Sequence, residues 1–491
     1  STTSTVPAPL PPPEPGDVAV WTNDDPAMPM TVRVPTIANR PFFNDVINSW
    51  ATTVRVDFRQ QAGALIRERE RRAAEAQAAA EAAAREAAEA AAAAAAASTL
   101  PGDTTTTTTT TTTLPPPPPP PPPRLDVDVD GVTIGPGYAT ARLRTSTLLD
   151  GPTHTASEAF YAFDDGQVVA SRALLAPERI AEFVGLVAAR LGDRVGDWNG
   201  VAFDALLTDV MLTDAGDLRV TVPTRHLAAG ADPAPVVIPA EEATQFLSRL
   251  GMAVVTGEPP PARAASPVDC DVARCVALTF DDGPTDQTAR LLDHLDRADE
   301  PATFFVLGRL VESNPDLTRR IVDSGHAIGN HTWTHDNLRA LSLDDVIADL
   351  SRTNTAIAAA TGVVADYMRP PYGAYELETR YIDYGFALWD VDTRDWDHRS
   401  PGETVRRTVR DIEPGSVVLM HDIHGATVDA VPLMIAQLRA DGYELVTLPE
   451  LFGPAEHGAL YYSHGDVEPP PPPTTTTTTT TVPATTPEQG G

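Results

Sequence analysis

Lysine is absent from the 491 residues, so all 36 basic side chains are arginines, and they face 68 acidic ones. The formal net charge at pH 7 is −32. Such a charge argues against binding the phosphates of nucleic acid or an anionic membrane surface. We therefore expect no nucleic-acid partner, and a neutral or cationic polymer fits the charge better.

Long apolar runs are also absent. The alanine run near residues 87–97 comes closest to a membrane span, but alanine is weakly apolar and Glu and Arg interrupt the approach to the run. We therefore predict no membrane span. The chain begins at Ser1 in a stretch rich in Pro and Thr, which we interpret as a mature end left by processing. We expect a secreted monomer that works in the cell envelope or outside the cell.

Cysteine is scarce. The chain has two cysteines, Cys270 and Cys275, just before an apolar run. Their spacing allows a small disulfide loop, a metal pair or free thiols, and four intervening residues without a nearby His weaken the metal reading. The secreted character favours the disulfide.

Proline, threonine and alanine are abundant, with 48 prolines and long Thr and Ala runs. Such segments cannot bury enough apolar surface to form a packed core. We predict a disordered N-terminus over 1–16, an insertion over 67–124, a linker over 256–267 and a disordered tail over 466–491. The insertion begins as an Ala-rich helix, which we expect to be solvated and without a partner.

Globular character is concentrated in three segments. Residues 17–66 and 125–255 show strand-like alternation and amphipathic helices, which predicts an α+β module. One helical face of the first segment carries the apolar side chains Ile47, Trp50, Val54 and Phe58. In residues 268–455, short apolar strands alternate with amphipathic helices about seven times. This alternation predicts an α/β fold with a parallel barrel, in which polar clusters at strand ends carry the chemistry.

The chemical cluster begins in "LTFDDGP", where Asp281 and Asp282 end the first predicted barrel strand. In "NHTWTH", His331 and His335 are four residues apart, and on a helical turn this spacing places two imidazoles on one face. One carboxylate and two histidines leave a position open for water, which is typical of catalytic zinc sites. Each pattern alone is common in turns and surface pairs; together, at successive strand ends, they indicate a metal site.

Further polar clusters follow in the same order as in a known family. The chain resembles the NodB-type polysaccharide deacetylases, carbohydrate esterase family 4. The matching motifs are Asp281–Asp282, His331 with His335, Arg369–Tyr372, Asp392–Trp396 and Leu419–His421. The resemblance implies a deformed (β/α) barrel and metal-dependent removal of acetyl groups.

The resemblance also implies a role for each motif residue. Zn²⁺, or another divalent metal such as Co²⁺ or Ni²⁺, is held by Asp282, His331 and His335. Catalytic roles fall to Asp281 as general base, His421 as general acid, Asp395 beside it, Arg369 as the partner of Asp281, and the backbone N–H of Tyr372. Trp396, Leu419 and Tyr372 are the expected substrate-binding residues. Cys270 and Cys275 are the expected disulfide.

A second resemblance concerns the preceding module. "NDVINSWATTVRVDF" and "YATARLRTSTLLDGPTHTASEAFYAFDDG" are similar to the RsiV-like extracellular module. This implies that residues 17–66 and 125–255 form one split domain. The turn "DGPTH" departs from the Gly-Gly-Ala-His turn of that module.

These observations favour removal of N-acetyl groups from cell-wall polysaccharide, with N-acetylglucosamine or N-acetylmuramic acid of peptidoglycan as the expected substrate. Two alternatives stay open at this point. The first is an acetylxylan or chitin-oligomer deacetylase, because the same motifs serve those enzymes. The second is a non-catalytic wall-binding or sensor protein.

Overall fold

A computed structural model describes residues 14–23, 25–97, 120–164, 166–257 and 268–472. Most of the Thr/Pro tracts, most of the predicted linker, and the outermost parts of both termini lie outside these residues. Within the described ranges, no helix combines the length and the apolar character that crossing a membrane requires.

The described residues of the N-terminal unit form nine strands and five α-helices. The strands are β1 (Glu14–Asn23), β2 (Met30–Ala38), β3 (Arg124–Gly135), β4 (Tyr138–Leu148), β5 (His154–Phe163), β6 (Val168–Ala170), β7 (Val210–Leu212), β8 (Leu218–Val220) and β9 (Val236–Ile238). The helices are α1 (Pro41–Ala97), α2 (Ile180–Leu191), α3 (Phe203–Leu206), α4 (Ala240–Ala243) and α5 (Arg249–Thr256). Single 3₁₀ turns cover Ser171–Leu174, Pro177–Arg179, Gly192–Arg194, Thr224–His226 and Thr244–Phe246.

One six-stranded sheet, in the order β1 to β6, joins strands from both sides of the insertion. β2 and β3 run parallel, with Met30 opposite Leu125, while the other neighbours in this sheet are antiparallel. β7, β8 and β9 form a separate three-stranded sheet. The larger sheet agrees with a domain split by the insertion, and the similarity to the RsiV-like module stays a prediction.

Helix α1 changes character along its length. Its first part is amphipathic and buries Ile47, Trp50 and Phe58, as the apolar spacing predicts. Beyond Arg69, Glu and Arg side chains pair along the surface at helical spacing, for example Arg71 with Glu75 at 2.6 Å. Residues 71–93 are exposed. The second part is therefore a helix by propensity rather than by packing.

The C-terminal unit, as described over residues 268–472, contains ten strands and eight α-helices. The strands are β10 (Cys275–Asp281), β11 (Thr303–Val306), β12 (Ala327–Asn330), β13 (Tyr367–Met368), β14 (Gly385–Ala387), β15 (Val391–Asp392), β16 (Ser416–His421), β17 (Glu444–Leu445), β18 (Leu460–Ser463) and β19 (Asp466–Glu468). The helices are α6 (Asp286–Ala298), α7 (Gly308–Ser313), α8 (Pro315–Asp323), α9 (Leu343–Thr361), α10 (Asp395–His398), α11 (Pro401–Asp411), α12 (Gly425–Ala440) and α13 (Leu448–Phe452). Single 3₁₀ turns cover Leu338–Ala340, Pro371–Gly373 and Leu377–Tyr381.

Seven of these strands close into a barrel in the order β16, β10, β11, β12, β13, β14 and β18. The pairing between Ser416 and Ser463 closes the ring. From β16 to β18 the neighbouring strands run parallel, and helices connect most of them, so the predicted deformed (β/α) barrel is confirmed. Parallel strands bring their carboxyl ends to one side of the barrel, which is where such folds place their chemistry.

Three predicted boundaries were wrong. The barrel domain does not end at residue 455, because β18 supplies the seventh strand of the ring. The tail is not disordered from residue 466, because β19 pairs with β18 and Arg380 donates a 2.6 Å hydrogen bond to the carbonyl of Pro469. Likewise, the N-terminal strand β1 already begins at Glu14 rather than after residue 16. These short strands gain their stability from pairing, which local composition does not reveal.

Helix α12 is buried on nearly its whole circumference. In the barrel unit α12 packs beside α6 and α11 and shares an apolar core with β10 and β16. The N-terminal unit covers it through α1 and β6, with Trp50 and Phe42 in the same core. At the end of α12, the buried guanidinium of Arg172 donates two 2.8 Å hydrogen bonds to the carboxylate of Asp441. A helix that is apolar all round must be covered on both sides. The two units therefore share one core.

The predicted disulfide between Cys270 and Cys275 is confirmed. It closes a small loop directly before β10, the strand that carries the two aspartates. Metal binding and free thiols are thereby excluded for this pair.

Candidate active site

Side chains from four strand ends meet on one side of the barrel. Asp281 is the last residue of β10 and stands in register with His421, the last residue of β16. His331 directly follows β12, and Arg369 directly follows β13. Residues that lie 140 positions apart in the chain thus become neighbours because their strands are parallel and paired.

Asp282, His331 and His335 form a group that is able to hold a metal ion, since their ligand atoms all lie within 4.8 Å of one another. The Nε2 atoms of both histidines are 3.5 Å from Oδ1 of Asp282. These three are the residues that the motif pattern predicts, and the structure brings them together.

The carboxylate of Asp282 provides a test of whether a cation fits. Its Oδ1 is buried and has no hydrogen-bond partner among the described residues. A buried, unsatisfied carboxylate oxygen that faces two imidazole nitrogens is costly unless a cation compensates it. The donor set of one carboxylate and two imidazoles matches catalytic zinc sites. The residues therefore fit a divalent metal.

His331 is held in the form that a metal requires. Its Nδ1 lies 2.7 Å from the carbonyl oxygen of Arg369, so Nδ1 carries the proton and Nε2 is left with a lone pair toward Asp282. Burial lowers the pKa of His331 to about 3, so the ring is neutral at ordinary pH. A neutral imidazole with its second nitrogen anchored is a well-oriented ligand.

The expected helical turn between the two histidines was wrong. His331 follows a strand, and His335 lies in a loop with φ of 70°. The loop is tied by the N–H of His335, which donates a 3.0 Å hydrogen bond to Oγ1 of Thr332, itself at φ 69°. Left-handed backbone at two non-glycine residues, rather than helical spacing, brings the rings to 5.0 Å between centroids.

Asp281 has a partner of its own, Arg369, although its Oδ2 also lies 3.7 Å from Nε2 of His331. Its Oδ1 accepts a 2.9 Å hydrogen bond from Nη1 of Arg369, which also donates to Oγ1 of Thr279 at 2.8 Å. The remaining donors of this guanidinium bind the carbonyl oxygens of Ala387 at 2.9 Å and Leu388 at 2.8 Å. Burial raises the pKa of Asp281, which makes it a better proton acceptor, while the charge of Arg369 opposes that shift.

His421 and Asp395 form the opposite pair of the site. Nδ1 of His421 lies 2.8 Å from Oδ1 of Asp395, whose Oδ2 accepts hydrogen bonds from the His421 N–H at 2.8 Å and Oγ1 of Thr427 at 2.6 Å. Burial opposes the charged imidazole, but the hydrogen bond and charge of Asp395 outweigh it, and the pKa of His421 rises to about 9. A protonated imidazole at the end of β16 is suited to donate a proton.

The predicted substrate-binding residues surround these groups with different exposures. Tyr372 is 69% exposed, has φ of 61°, and its ring contacts that of His335 at 4.6 Å between centroids. Trp396, on α10 beside Asp395, is 48% exposed, whereas Leu419 is buried in β16. Tyr372 and Trp396 are thus accessible to a ligand at the surface, whereas the side chain of Leu419 is almost inaccessible to solvent.

Comparison with known proteins identifies the barrel. Residues 269–386 match the family model described as polysaccharide deacetylase. A peptidoglycan-N-acetylglucosamine deacetylase of Bacillus cereus is 37% identical over 186 residues, 36% of this chain and 68% of the relative. A chitooligosaccharide deacetylase of Rhizobium leguminosarum bv. trifolii is 34% identical over 196 residues, 36% of this chain and 91% of the relative.

This chain belongs to the polysaccharide deacetylase family. Peptidoglycan-N-acetylglucosamine deacetylase PgdA of Listeria monocytogenes is 39% identical over 194 residues, 39% of this chain. The match spans only 42% of that relative's length. A solved structure, T48 deacetylase with substrate, is 45% identical and is covered to 99%, at 40% of this chain and a TM-score of 0.39.

Asp422 is a buried residue of the barrel that the sequence pattern did not single out. It follows His421, accepts a 2.5 Å hydrogen bond from Oγ1 of Thr288, and has a second buried oxygen without a partner among the described residues. Burial raises its pKa to about 7, with Asp282 and Asp281 adding in the same direction. A Cβ on Gly283 would lie 2.4 Å from its Oδ2, so Asp422 supports the loop that carries both aspartates. The acidic residue directly after the motif histidine was the available signal.

Proposed function

We propose that the protein is a metal-dependent hydrolase that removes N-acetyl groups from cell-wall polysaccharide, with N-acetylglucosamine or N-acetylmuramic acid of peptidoglycan as its substrate. The main support is the unsatisfied Oδ1 of Asp282 between two histidine Nε2 atoms, flanked by a separate base and acid. The peptidoglycan deacetylases of Listeria monocytogenes and Bacillus cereus among its relatives support the choice of polymer.

Asp282, His331 and His335 would hold the ion, for which we propose zinc. When bound, a divalent cation supplies Lewis acidity toward water and the acetamide carbonyl. Proton transfer and stabilisation of the developing negative charge are carried out by residues of the chain itself.

Asp281 takes the proton of the attacking water, and Arg369 holds its carboxylate in place through the 2.9 Å hydrogen bond. The water oxygen bonds to the carbonyl carbon, and the backbone N–H of Tyr372 donates to the carbonyl oxygen as negative charge develops there. Trp396 and Leu419 border the acetyl group.

His421 completes the reaction. Its raised pKa of about 9 keeps the ring protonated at neutral pH, and it gives this proton to the amide nitrogen as the carbon–nitrogen bond breaks. An amine leaves poorly unless it is protonated, so this proton transfer is required for release. The products are acetate and a free amino sugar on the polymer.

We propose that the protein acts outside the cell, at the envelope where peptidoglycan lies. The disulfide before β10 supports an oxidising compartment. The N-terminal unit would then face the same polymer network, without a catalytic role of its own.

The test is mass spectrometry of peptidoglycan fragments after incubation with the zinc-loaded protein. Loss of one acetyl group from a defined sugar is the expected result and identifies the substrate. Acetate release from acetylxylan or chitin oligomers but not from peptidoglycan would contradict the choice of polymer. No acetate from any of the three would contradict the enzyme function.

A further inference from the structure

A cavity of about 380 Å³ lies in the N-terminal unit, between helix α1 and strands β3, β4 and β5. This volume is within the range of small-molecule sites, about 300–1,000 Å³. Every residue that lines the cavity belongs to the N-terminal unit. The cavity is therefore separate from the candidate active site, whose residues all come from the barrel.

The two walls of the cavity combine apolar and hydrogen-bonding groups. On α1, Phe58 and Gln61 are three residues apart and so share one face of the helix. On the sheet, Thr145 and Thr147 are alternate residues of β4 and so point to the same side. An aromatic ring, an amide and two hydroxyls thus face one space, which is a common composition of ligand sites.

Glu158 adds a carboxylate to the sheet wall, at the edge of the apolar core. It stands opposite Leu143 in the pairing of β5 with β4, and both Leu143 and Phe160, two residues along β5, are buried in that core. Burial raises the pKa of Glu158, and the nearby indole of Trp50 and the charge of Arg225 offset this shift only in part. An ionised carboxylate in these surroundings lowers the stability of the fold unless a cation compensates it.

The other two carboxylates of the cavity have arginine partners. Asp57 accepts a 2.6 Å hydrogen bond from Arg406, and Asp150 accepts one of 3.2 Å from Arg69. In the part of the chain that the structure describes, Glu158 has no arginine within ion-pair distance. A cationic ligand in the cavity would compensate Glu158 as the arginines compensate the other two.

The lining narrows the chemistry of that cation. A metal ion needs several ligand atoms around one point, and among the described residues the group that meets this condition lies in the barrel. An ammonium group is satisfied by the carboxylate of Glu158, while Thr145, Thr147 and Gln61 are able to bind hydroxyl groups. The ring of Phe58 supplies an apolar surface for the C–H groups of a sugar. These features fit an amino sugar, and the net charge of −32 attracts a polymer that carries many of them.

We propose that this cavity binds the free amino sugars of the deacetylated polymer, with the carboxylate of Glu158 as the partner of the ammonium group. The proposal rests on the proposed function, whose reaction leaves amino sugars on the polymer. An enzyme with such a site stays attached to the stretch of polymer that it has already deacetylated.

The experiment is titration calorimetry of the zinc-loaded full chain with the pentasaccharides of glucosamine and of N-acetylglucosamine. Glu158→Gln keeps the shape of the side chain and removes its charge, so the glucosamine pentasaccharide should bind about tenfold more weakly. Gln61→Ala, at an exposed position of α1, should weaken the same binding about threefold. The N-acetylglucosamine pentasaccharide has no ammonium group, so its binding and its deacetylation should not change in either variant.

Thermal unfolding separates this role of Glu158 from a structural one. The neutral amide avoids the cost of burying a charge, so Glu158→Gln should unfold at the wild-type temperature or above it. Glu178→Gln is the matched control, because Glu178 is a glutamate of the same unit that lines a different cavity, of about 250 Å³. We expect its affinity for both pentasaccharides to match the wild type.

Three outcomes overturn the amino-sugar site: a wild-type protein that does not bind the glucosamine pentasaccharide, equal affinity in Glu158→Gln and the wild type, or equal loss for both pentasaccharides. Acetate release from peptidoglycan is measured separately and still decides the proposed function in each case. A protein that releases no acetate, but whose binding of the glucosamine pentasaccharide depends on Glu158, would contradict the proposed function and retain the amino-sugar site.

Discussion

Two charged groups, the partly buried Asp282 in the barrel and the buried Arg172 in the N-terminal unit, differ in how their charged atoms are paired. Arg172 has all its charge compensated, with two hydrogen bonds to Asp441 and further contacts to Gln437. Oδ1 of Asp282 is buried and has no hydrogen-bond partner among the described residues, and the two histidine Nε2 atoms lie 3.5 Å from it. Burying an uncompensated charge costs several kcal/mol, so it persists only where something else offsets it. The contrast between these two groups separates a structural ion pair from a place where a cation fits.

Backbone strain follows the same division. Among the described residues, eight non-glycine residues have positive φ. Six of them lie in the loops around the candidate site: Asp282, Thr332, His335, Tyr372, Arg394 and Arg399. Each such conformation costs on the order of 1–3 kcal/mol unless surrounding contacts compensate it. The loops at this end of the barrel therefore lower the stability of the fold, and apolar burial in the shared core around α12 offsets that cost.

The comparison is tested most strongly at the catalytic base. Asp281→Asn keeps the shape and the hydrogen bond from Arg369 but cannot take a proton from water. We expect kcat to fall by about 10²- to 10⁴-fold while the metal content stays the same. Acetate release and elemental analysis of the purified variant measure the two quantities.

Asp282→Asn is the paired control, because Asp282 is assigned to the metal and Asp281 to proton transfer. This variant should lose metal and turnover together. If Asp281→Asn also lost the metal, or if it kept its turnover, the separation of base from ligand would be contradicted.

The structural region is tested at Trp50, whose side chain is buried in the core shared with α12. Trp50→Ala leaves a large cavity there, and we expect it to lower the free energy of unfolding by about 3–5 kcal/mol. Chemical denaturation measures this loss. The kcat of the molecules that remain folded should be close to that of the wild type, since Trp50 touches no group of the site. A kcat loss without a stability loss would mean that the two regions are not distinct.

The acid is tested through pH. The pKa of His421 is raised to about 9, so activity that needs its proton should fall as pH rises through that value. Asp395→Asn removes the main stabilising charge, and the alkaline limb of kcat/KM should move toward the ordinary histidine pKa of about 6.5. Asp397→Asn, an exposed change in the same helix, should leave the limb in place. If the alkaline limb of kcat/KM did not move in Asp395→Asn, then His421 would not be the acid whose ionisation this limb reports.

The same pair contributes to stability with a defined sign. Because the folded pKa of His421 lies above its unfolded value, its contribution is complete below about pH 6.5 and is lost as pH rises through about 9. Asp395→Asn should therefore destabilise the protein at neutral pH and leave it less sensitive to alkaline pH.

Much of the barrel site was predictable from sequence because its residues follow short strands whose carboxyl ends meet. That rule and the family motifs together give the proposed metal residues Asp282, His331 and His335 and the pair of His421 and Asp395. The helical turn assumed for the histidines was wrong, because local spacing does not reveal left-handed backbone. The closing strand β18 was missed, since a four-residue strand is defined by pairing partners far away in the chain.

The smallest effect is expected in the exposed part of α1, where helical propensity alone predicts the structure. Glu81 accepts a 3.0 Å hydrogen bond from Gln77 at the surface. Glu81→Ala removes this contact but introduces the residue with the highest helix propensity, so stability should change by less than about 0.5 kcal/mol. Thermal unfolding and acetate release should both match the wild type. A marked loss of activity would instead show that this exposed helix contributes to substrate binding. The molecule would then have a third region, distinct from both the chemical and the structural one.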